Sequence, residues 1–176
     1  MQTTDKLECI EKNAIVNGIR LTYFERGMAY RGVKPTLLFV HATGFHARVW
    51  DKIINALGDF HSISIDQRGH GRSEKRKTQH WNEVITDTRE IIEQLDLNNI
   101  IAIGHSMGAH ALIGAAPHAE HRFLKIIAID PVIPEEAAFI DETSSPFNST
   151  EEHPTAKRRN EFDSAEEMAE RLKPKG

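Results

Sequence analysis

Apolar positions along the chain follow two periods that take turns. Ala14-Ile15-Val16 and Ile19-Arg20-Leu21-Thr22-Tyr23-Phe24 flank Asn17-Gly18. Asn-Gly supplies the positive φ angles of a two-residue turn, so this stretch predicts an antiparallel strand pair. Thr36-Leu37-Leu38-Phe39-Val40 is a continuous apolar run, as expected of a strand covered on both faces. From Arg48 to Leu57 the spacing turns helical and places Val49, Trp50, Ile53, Ile54 and Leu57 on one face, with Gly58 as the stop.

The alternation continues downstream. Ser62-Ile63-Ser64-Ile65 reads as a strand and leads into a glycine-rich turn from Asp66 to Ser73. Trp81, Val84, Ile85, Thr88, Ile91, Ile92 and Leu95 form the stripe of a long helix, and Ile100-Ile101-Ala102-Ile103 is another buried-strand run. Met107 to Ala116 is rich in Ala and Gly, which suits a helix lying close on a sheet, with Pro117 as its stop. Phe123 to Ile129 is the last strand, closed by Asp130-Pro131. Strands alternating with helices at this length predict an α/β fold with a doubly wound, mostly parallel sheet and an N-terminal antiparallel hairpin.

Beyond Pro134 the character changes. Residues 141–176 hold nine acidic and six basic residues against two aromatics, Phe147 and Phe162, too few apolar groups for a core of their own. Thr143 to Pro154 reads as a linker, and Ser164 with Glu167 three residues on forms a capping box that starts a short helix before Lys173-Pro174.

Charge and composition narrow the function. With 22 Lys and Arg against 26 Asp and Glu, the net charge of −4 argues against a protein whose main partner is nucleic acid. No apolar run reaches the length of a membrane span, and Met1 to Lys12 has no export-type apolar core. The single Cys9 excludes an intramolecular disulfide and suits a reducing, cytoplasmic setting.

Three short motifs carry the chemistry. Gly104-His105-Ser106-Met107-Gly108 is a G-x-S-x-G sequence lying directly between a strand and a helix. There a serine is exposed on a sharp turn above a helix N-terminus, whose free N–H groups favour developing negative charge; the bland alternative is a serine that merely caps the helix. His41-Ala42-Thr43-Gly44-Phe45 follows the strand ending at Val40, where a backbone N–H can join that of Met107 as a pair of oxyanion donors, or form only a tight turn. Asp66-Gln67-Arg68-Gly69-His70-Gly71-Arg72-Ser73 matches neither phosphate-loop spacing, which favours a structural loop pinned by Asp66 and Arg68 over nucleotide binding.

Together the three motifs resemble the α/β-hydrolase superfamily, in its capped esterase, epoxide-hydrolase and dehalogenase-like group, over roughly residues 12–140. His41 to Gly44 resembles the oxyanion loop, Asp66 to Ser73 the D-x-R-G-x-G-x-S turn, and Gly104 to Gly108 the nucleophile elbow. The resemblance implies Ser106 as nucleophile and the backbone amides of Thr43 and Met107 as the oxyanion hole. Serine at the elbow separates the chain from dehalogenases and epoxide hydrolases, which use aspartate there. Ala42 stands in place of the usual glycine, and Ala109 in place of a frequent second one.

The resemblance also implies eight strands, of which six are legible, so the sheet is expected to lack its last strands. On this reading residues 1–140 are the N-terminal part of the hydrolase core, and residues 141–176 are a linker and the start of an incomplete helical cap, with Arg158 to Ser164 as its early part. The catalytic histidine of such an enzyme follows the last strand. Here His110, His118, His121 and His153 follow Ser106, and all read as surface or capping histidines. Asp130 either closes its strand or is the acid of the triad. The expected function is serine hydrolysis of ester-like bonds in a small molecule through an acyl-enzyme, with no metal or organic cofactor and no membrane or nucleic-acid partner. A fragment so cut is expected to be nearly inactive alone. A non-catalytic binding module, or an acyltransferase or perhydrolase on the same fold, is the alternative.

Overall fold

The computed structural model describes residues 8–76, 78, 80–133 and 163–172. Six strands, β1 (Ile10–Val16), β2 (Ile19–Arg26), β3 (Thr36–Val40), β4 (Ser62–Ile65), β5 (Ile100–His105) and β6 (Phe123–Ile129), form one sheet in the order β1-β2-β4-β3-β5-β6. β1 and β2 pair antiparallel, β2 pairs antiparallel with β4, and β3 to β6 run parallel. Helices α1 (Asp51–Leu57), α2 (Trp81–Gln94) and α3 (Met107–Ala115) join the parallel strands, and α4 (Ala165–Leu172) follows at a distance in sequence. The chain leaves β3 towards β4 and leaves β5 towards β6. The adjacent carboxyl ends of β3 and β5 therefore form the switch point at which open α/β sheets place their sites.

Local sequence explains the elements. Asn17 and Gly18 sit at φ 47° and 70°, the two positive angles of the hairpin turn, and the Asn17 side chain ties that turn to α2 through Asp87 at 3.0 Å. All five residues of β3 are buried because its two faces meet different cores. Leu38 and Val40 pack with Ile100, Ala102, Ile91, Ile92 and Leu112, while Leu37 and Phe39 pack with Trp50 and Ile54.

Two expectations need correction here. The apolar face expected over residues 48–57 is split: Trp50 and Ile54 are buried, whereas Val49, Ile53 and Leu57 are 41%, 47% and 48% exposed. A helix this short seats one i, i+4 row on the sheet, and Trp50 takes it by packing its ring 5.4 Å from that of Phe39. In the tail, Ser164 does accept the Glu167 N–H at 3.1 Å, but the Glu167 carboxylate returns to the N–H of Asp163 instead of Ser164. The expected linker and the domain boundary at residues 140 and 141 lie outside the described residues.

β6 pairs with β5 alone among the described residues, and its Leu124, Ile127 and Ile129 are 59%, 42% and 43% exposed. An unpaired strand edge with an apolar face is a template for association. The 176-residue chain is expected to self-associate at micromolar concentration and to enhance the fluorescence of an apolar-surface dye. The double variant Leu124→Lys, Ile127→Lys should reduce both, as read by light scattering and dye titration.

Candidate active site

Ser106 stands between β5 and α3 with φ 51° and ψ −113°, a conformation that costs an L residue on the order of 1–3 kcal/mol. Two backbone bonds hold it there: its N–H donates to the Ile129 carbonyl at 2.9 Å, and its carbonyl accepts the His110 N–H at 3.0 Å. The flanking glycines are required by close approach. A Cβ on Gly104 would lie 2.6 Å from the Ala109 nitrogen, and one on Gly108 would collide with the Val40 carbonyl and lie 2.7 Å from that of His41. Gly108 thus lets the first turn of α3 rest against the end of β3, which brings the 41–45 loop beside Ser106. Gly108→Ala is expected to destabilise the fold by about 1–3 kcal/mol, because the colliding atoms are backbone. Urea unfolding checks this, with Gly114→Ala as the comparison, since Gly114 lies in the same helix and its added Cβ would meet only side-chain atoms of Ile85.

The loop after β3 is a turn closed by the Phe45 N–H to the Ala42 carbonyl at 3.1 Å. Gly44 at φ 81° occupies the second central position of a type II turn. Ala42, where the hydrolase motif has glycine, is buried without disturbing that turn. Thr43 lies alongside Met107, its hydroxyl 3.4 Å from the Met107 sulfur. Among the described residues, neither the Thr43 N–H nor the Met107 N–H has a protein acceptor. Phe45 lies tilted against His105, the residue before Ser106, with ring centroids 6.4 Å apart.

Asp66 to Ser73 braces this loop. The Asp66 carboxylate accepts the Ala47 N–H at 2.6 Å and the Arg72 N–H at 2.8 Å, and a Cβ on Gly71 would fall inside it. The Gln67 side chain donates to the His41 carbonyl at 2.5 Å. Arg68, 1% exposed, makes a two-pronged pair with Asp87 at 2.6 and 2.7 Å and a second with Glu83 at 2.6 Å. Ser73 accepts the Thr22 N–H at 2.8 Å and donates to the Asp66 carbonyl at 2.5 Å, clamping the turn to β2. The motif is a structural loop pinned by Asp66 and Arg68, as its spacing implied.

Two histidines link this brace to the 41–45 loop. His41 donates from Nδ1 to the Ala42 carbonyl at 2.8 Å and accepts the Gln67 N–H at Nε2 at 3.0 Å, which fixes a neutral ring. Burial pushes its pKa down to about 3, against the Ala42 bond and together with nearby His70 and His46. His70 donates from Nδ1 to the Arg68 carbonyl at 2.8 Å and accepts the Gly44 N–H at Nε2 at 3.0 Å.

The remaining candidates do not join Ser106. Asp130 follows β6 at φ 44° and is exposed, and among the described residues no histidine ring is hydrogen-bonded to it or to the Ser106 hydroxyl. His118 and His121 are exposed, as expected. His110 is the exception to the surface reading: it is 4% exposed on the face of α3 turned to α2, edge-on to Trp81 at 4.7 Å, with Nδ1 3.1 Å from the Val132 carbonyl. Its place in the Ala- and Gly-rich stripe of α3 was the missed signal. His153 lies outside the described residues. Among the described residues, no group of three or more His, Cys, Asp or Glu is placed to hold a metal, and no helix is long and apolar enough to cross a membrane.

Known proteins share this fold and parts of this sequence. The family profile described as alpha/beta hydrolase fold matches residues 35–157, more than half of the chain. The chain belongs to the α/β-hydrolase family. Over 111 residues it is 34% identical to the 2-(acetamidomethylene)succinate hydrolase of Mesorhizobium japonicum, covering 61% of this chain and 40% of that protein. A putative esterase/lipase of Haemophilus influenzae is 29% identical over 114 residues, covering 64% of this chain and 36% of that protein. The solved epoxide hydrolase CorEH superposes with a TM-score of 0.62 at 27% identity, over 71% of this chain and 43% of its own. The chain therefore spans about two fifths of the length of such α/β hydrolases.

Sequence reading missed three residues that shape the site: Glu83, Asp87 and His70. Asp87 sits within the apolar stripe of α2, beside Val84 and Ile91, and a carboxylate at such a position calls for a buried cation. For His70 the usable signal was its place between two glycines of a turn that sequence already tied to the site.

Proposed function

We propose that Ser106 is the nucleophile of a serine hydrolase acting on ester-like bonds of a small molecule. Its Oγ attacks the carbonyl carbon while its proton passes to a histidine supplied from outside the described residues. The oxyanion is held by the backbone N–H groups of Thr43 and Met107. Collapse of the tetrahedral species expels the alcohol, which takes the proton, and water then releases the acid from the acyl-enzyme by the reverse route. In this proposal Asp130 orients the histidine. The observation that carries the reading is a serine held at positive φ on the strand-to-helix turn, one residue from an amide with no protein acceptor and beside a loop offering a second.

Further support comes from the names of the relatives, a hydrolase of an acetamido-substituted succinate and an esterase/lipase. Fluorophosphonate labelling of the full-length protein tests the assignment. A single adduct is expected at Ser106, absent in Ser106→Ala. Labelling that survives this substitution would contradict the nucleophile, and complete failure to label would favour a binding module on the same fold.

A further inference from the structure

The hydrogen bonds of His70 leave one protonation state compatible with the loop it touches. A carbonyl oxygen only accepts and a backbone N–H only donates, so the Arg68 carbonyl requires a proton on Nδ1 and the Gly44 N–H requires a bare Nε2. The peptide that carries the Gly44 N–H joins Thr43 to Gly44 and is the central peptide of the 42–45 turn. Type I and type II turns differ by a flip of that peptide, and Gly44 at φ 81° records the type II orientation. The acceptor on His70 therefore selects the orientation that the turn adopts next to Ser106.

We propose that His70 is a positioning residue for the oxyanion loop: its Nε2 lone pair holds the peptide after Thr43 in the type II orientation, and a proton on that nitrogen releases it. This rests on the reading of Thr43 as an oxyanion donor. The imidazole is anchored on its far side, because the Arg68 main chain that accepts its Nδ1–H is fixed by the pairs of that residue with Asp87 and Glu83. His41 supports it from the loop side, with ring centroids 5.2 Å apart. The charged and titratable groups facing His70 are His41 from the loop after β3, and Asp66 and Lys75 from its own loop. Burial lowers its pKa, Lys75 adds to this, and the Arg68 carbonyl and Asp66 oppose it. The neutral, locking form thus holds at neutral pH and is lost on the acid side.

Protonation has a specific consequence. Nε2–H would face the Gly44 N–H, two donors nose to nose, and a flip that turns the Thr43 carbonyl towards the ring relieves the conflict. The Thr43 N–H sits on the preceding peptide and moves only as the turn readjusts around the flip, and a readjustment of about 1 Å relative to the Met107 N–H can cost about 100-fold in rate.

The test separates this device from the hydrolase assignment. In the 15N-histidine-labelled full-length protein at pH 7.5, His70 should show the Nδ1–H tautomer and a trans-hydrogen-bond coupling from Nε2 to the Gly44 nitrogen. On acidification that coupling and the Gly44 amide shift should change together with His70 titration. An Nε2–H tautomer, or a Gly44 amide indifferent to that titration, overturns the proposal whether or not the protein hydrolyses esters. In turnover, His70→Gln, whose side-chain oxygen can accept the Gly44 N–H, should stay within about threefold of wild type and lose the part of the acid limb of kcat due to His70. His70→Leu should lose up to about 100-fold in kcat with KM little changed. Equal rates for His70→Leu and wild type at every pH overturn the proposal. Should neither variant fold, the tautomer and coupling in the wild-type protein still decide. An intact coupling in a protein that never labels at Ser106 would sink the hydrolase reading and leave the peptide lock standing.

Discussion

Ser106→Ala is expected to lower kcat for a p-nitrophenyl ester by about 10⁴- to 10⁶-fold in the full-length protein while leaving KM within a few-fold. The size follows from what the substitution removes and what it leaves. On the proposed mechanism no acyl-enzyme forms without Oγ, and the histidine that would take its proton has nothing to activate except water at a less favourable angle. The amides of Thr43 and Met107 stay in place, because they belong to backbone held by Gly108, the Asp66 brace and the bonds at either side of residue 106. A residual rate of about 10³- to 10⁴-fold over water is therefore compatible with the account. Steady-state kinetics of the pair, with circular dichroism to show that both fold alike, measure the effect. A loss smaller than about tenfold would mean that the chemistry goes through another group.

The second large effect is on stability. The protein is expected to lose stability progressively as the pH falls below 6.5, before its carboxylates titrate. His41, His61, His70 and His110 all have pKa values pushed down first of all by burial. A histidine with a depressed pKa in the native state is protonated first in the unfolded chain, so its contribution is fully present above pH 6.5 and drains away as pH falls towards its native pKa. For His41, the span from 6.5 to about 3 corresponds to on the order of 5 kcal/mol at about 1.4 kcal/mol per pH unit. That is comparable to the whole stability of an ordinary domain, about 5–15 kcal/mol, before the other three histidines are counted. His61 adds to the effect from the opposite end of the sheet, where it lies fully buried between Thr36 and Glu25, 2.9 Å from each. Urea unfolding across a pH series checks the sign and the slope. At least about 1.4 kcal/mol of loss per pH unit below 6.5 is expected, and a flat profile between pH 7 and 5 would contradict the buried, neutral histidines.

What the sequence made legible is local. Asn17-Gly18 announces its turn because two adjacent positive φ angles have few other solutions. The runs at 36–40 and 100–103 announce strands covered on both faces, and Gly104 to Gly108 announces a strand-to-helix bend because its glycines are required by contacts of the bend itself with α3 and the end of β3. What stayed hidden depends on partners distant in sequence. Whether Trp50 and Ile54 or Val49, Ile53 and Leu57 face the sheet depends on where α1 lands relative to Phe39. The place of Asp87 in the apolar stripe calls for a cation but does not say which, and its partner Arg68 stands 19 positions earlier; the hold of His70 on Gly44 spans 26 positions. His110 read as a surface group because helical spacing does not say that α3 turns that residue towards Trp81 on α2. Motif reading found the candidate nucleophile and the loop that braces it, whereas the partners of that loop on α2 and its hold on Gly44 emerged only in three dimensions.

The most direct test of the central claim is a crystal structure of the full-length protein after fluorophosphonate treatment. The account predicts phosphorus bonded to Ser106 Oγ, with one phosphonyl oxygen about 2.7–3.1 Å from both the Thr43 and the Met107 backbone nitrogens. Phosphorus on any other side chain, or an adduct at Ser106 whose oxygen turns away from those two amides, would contradict it.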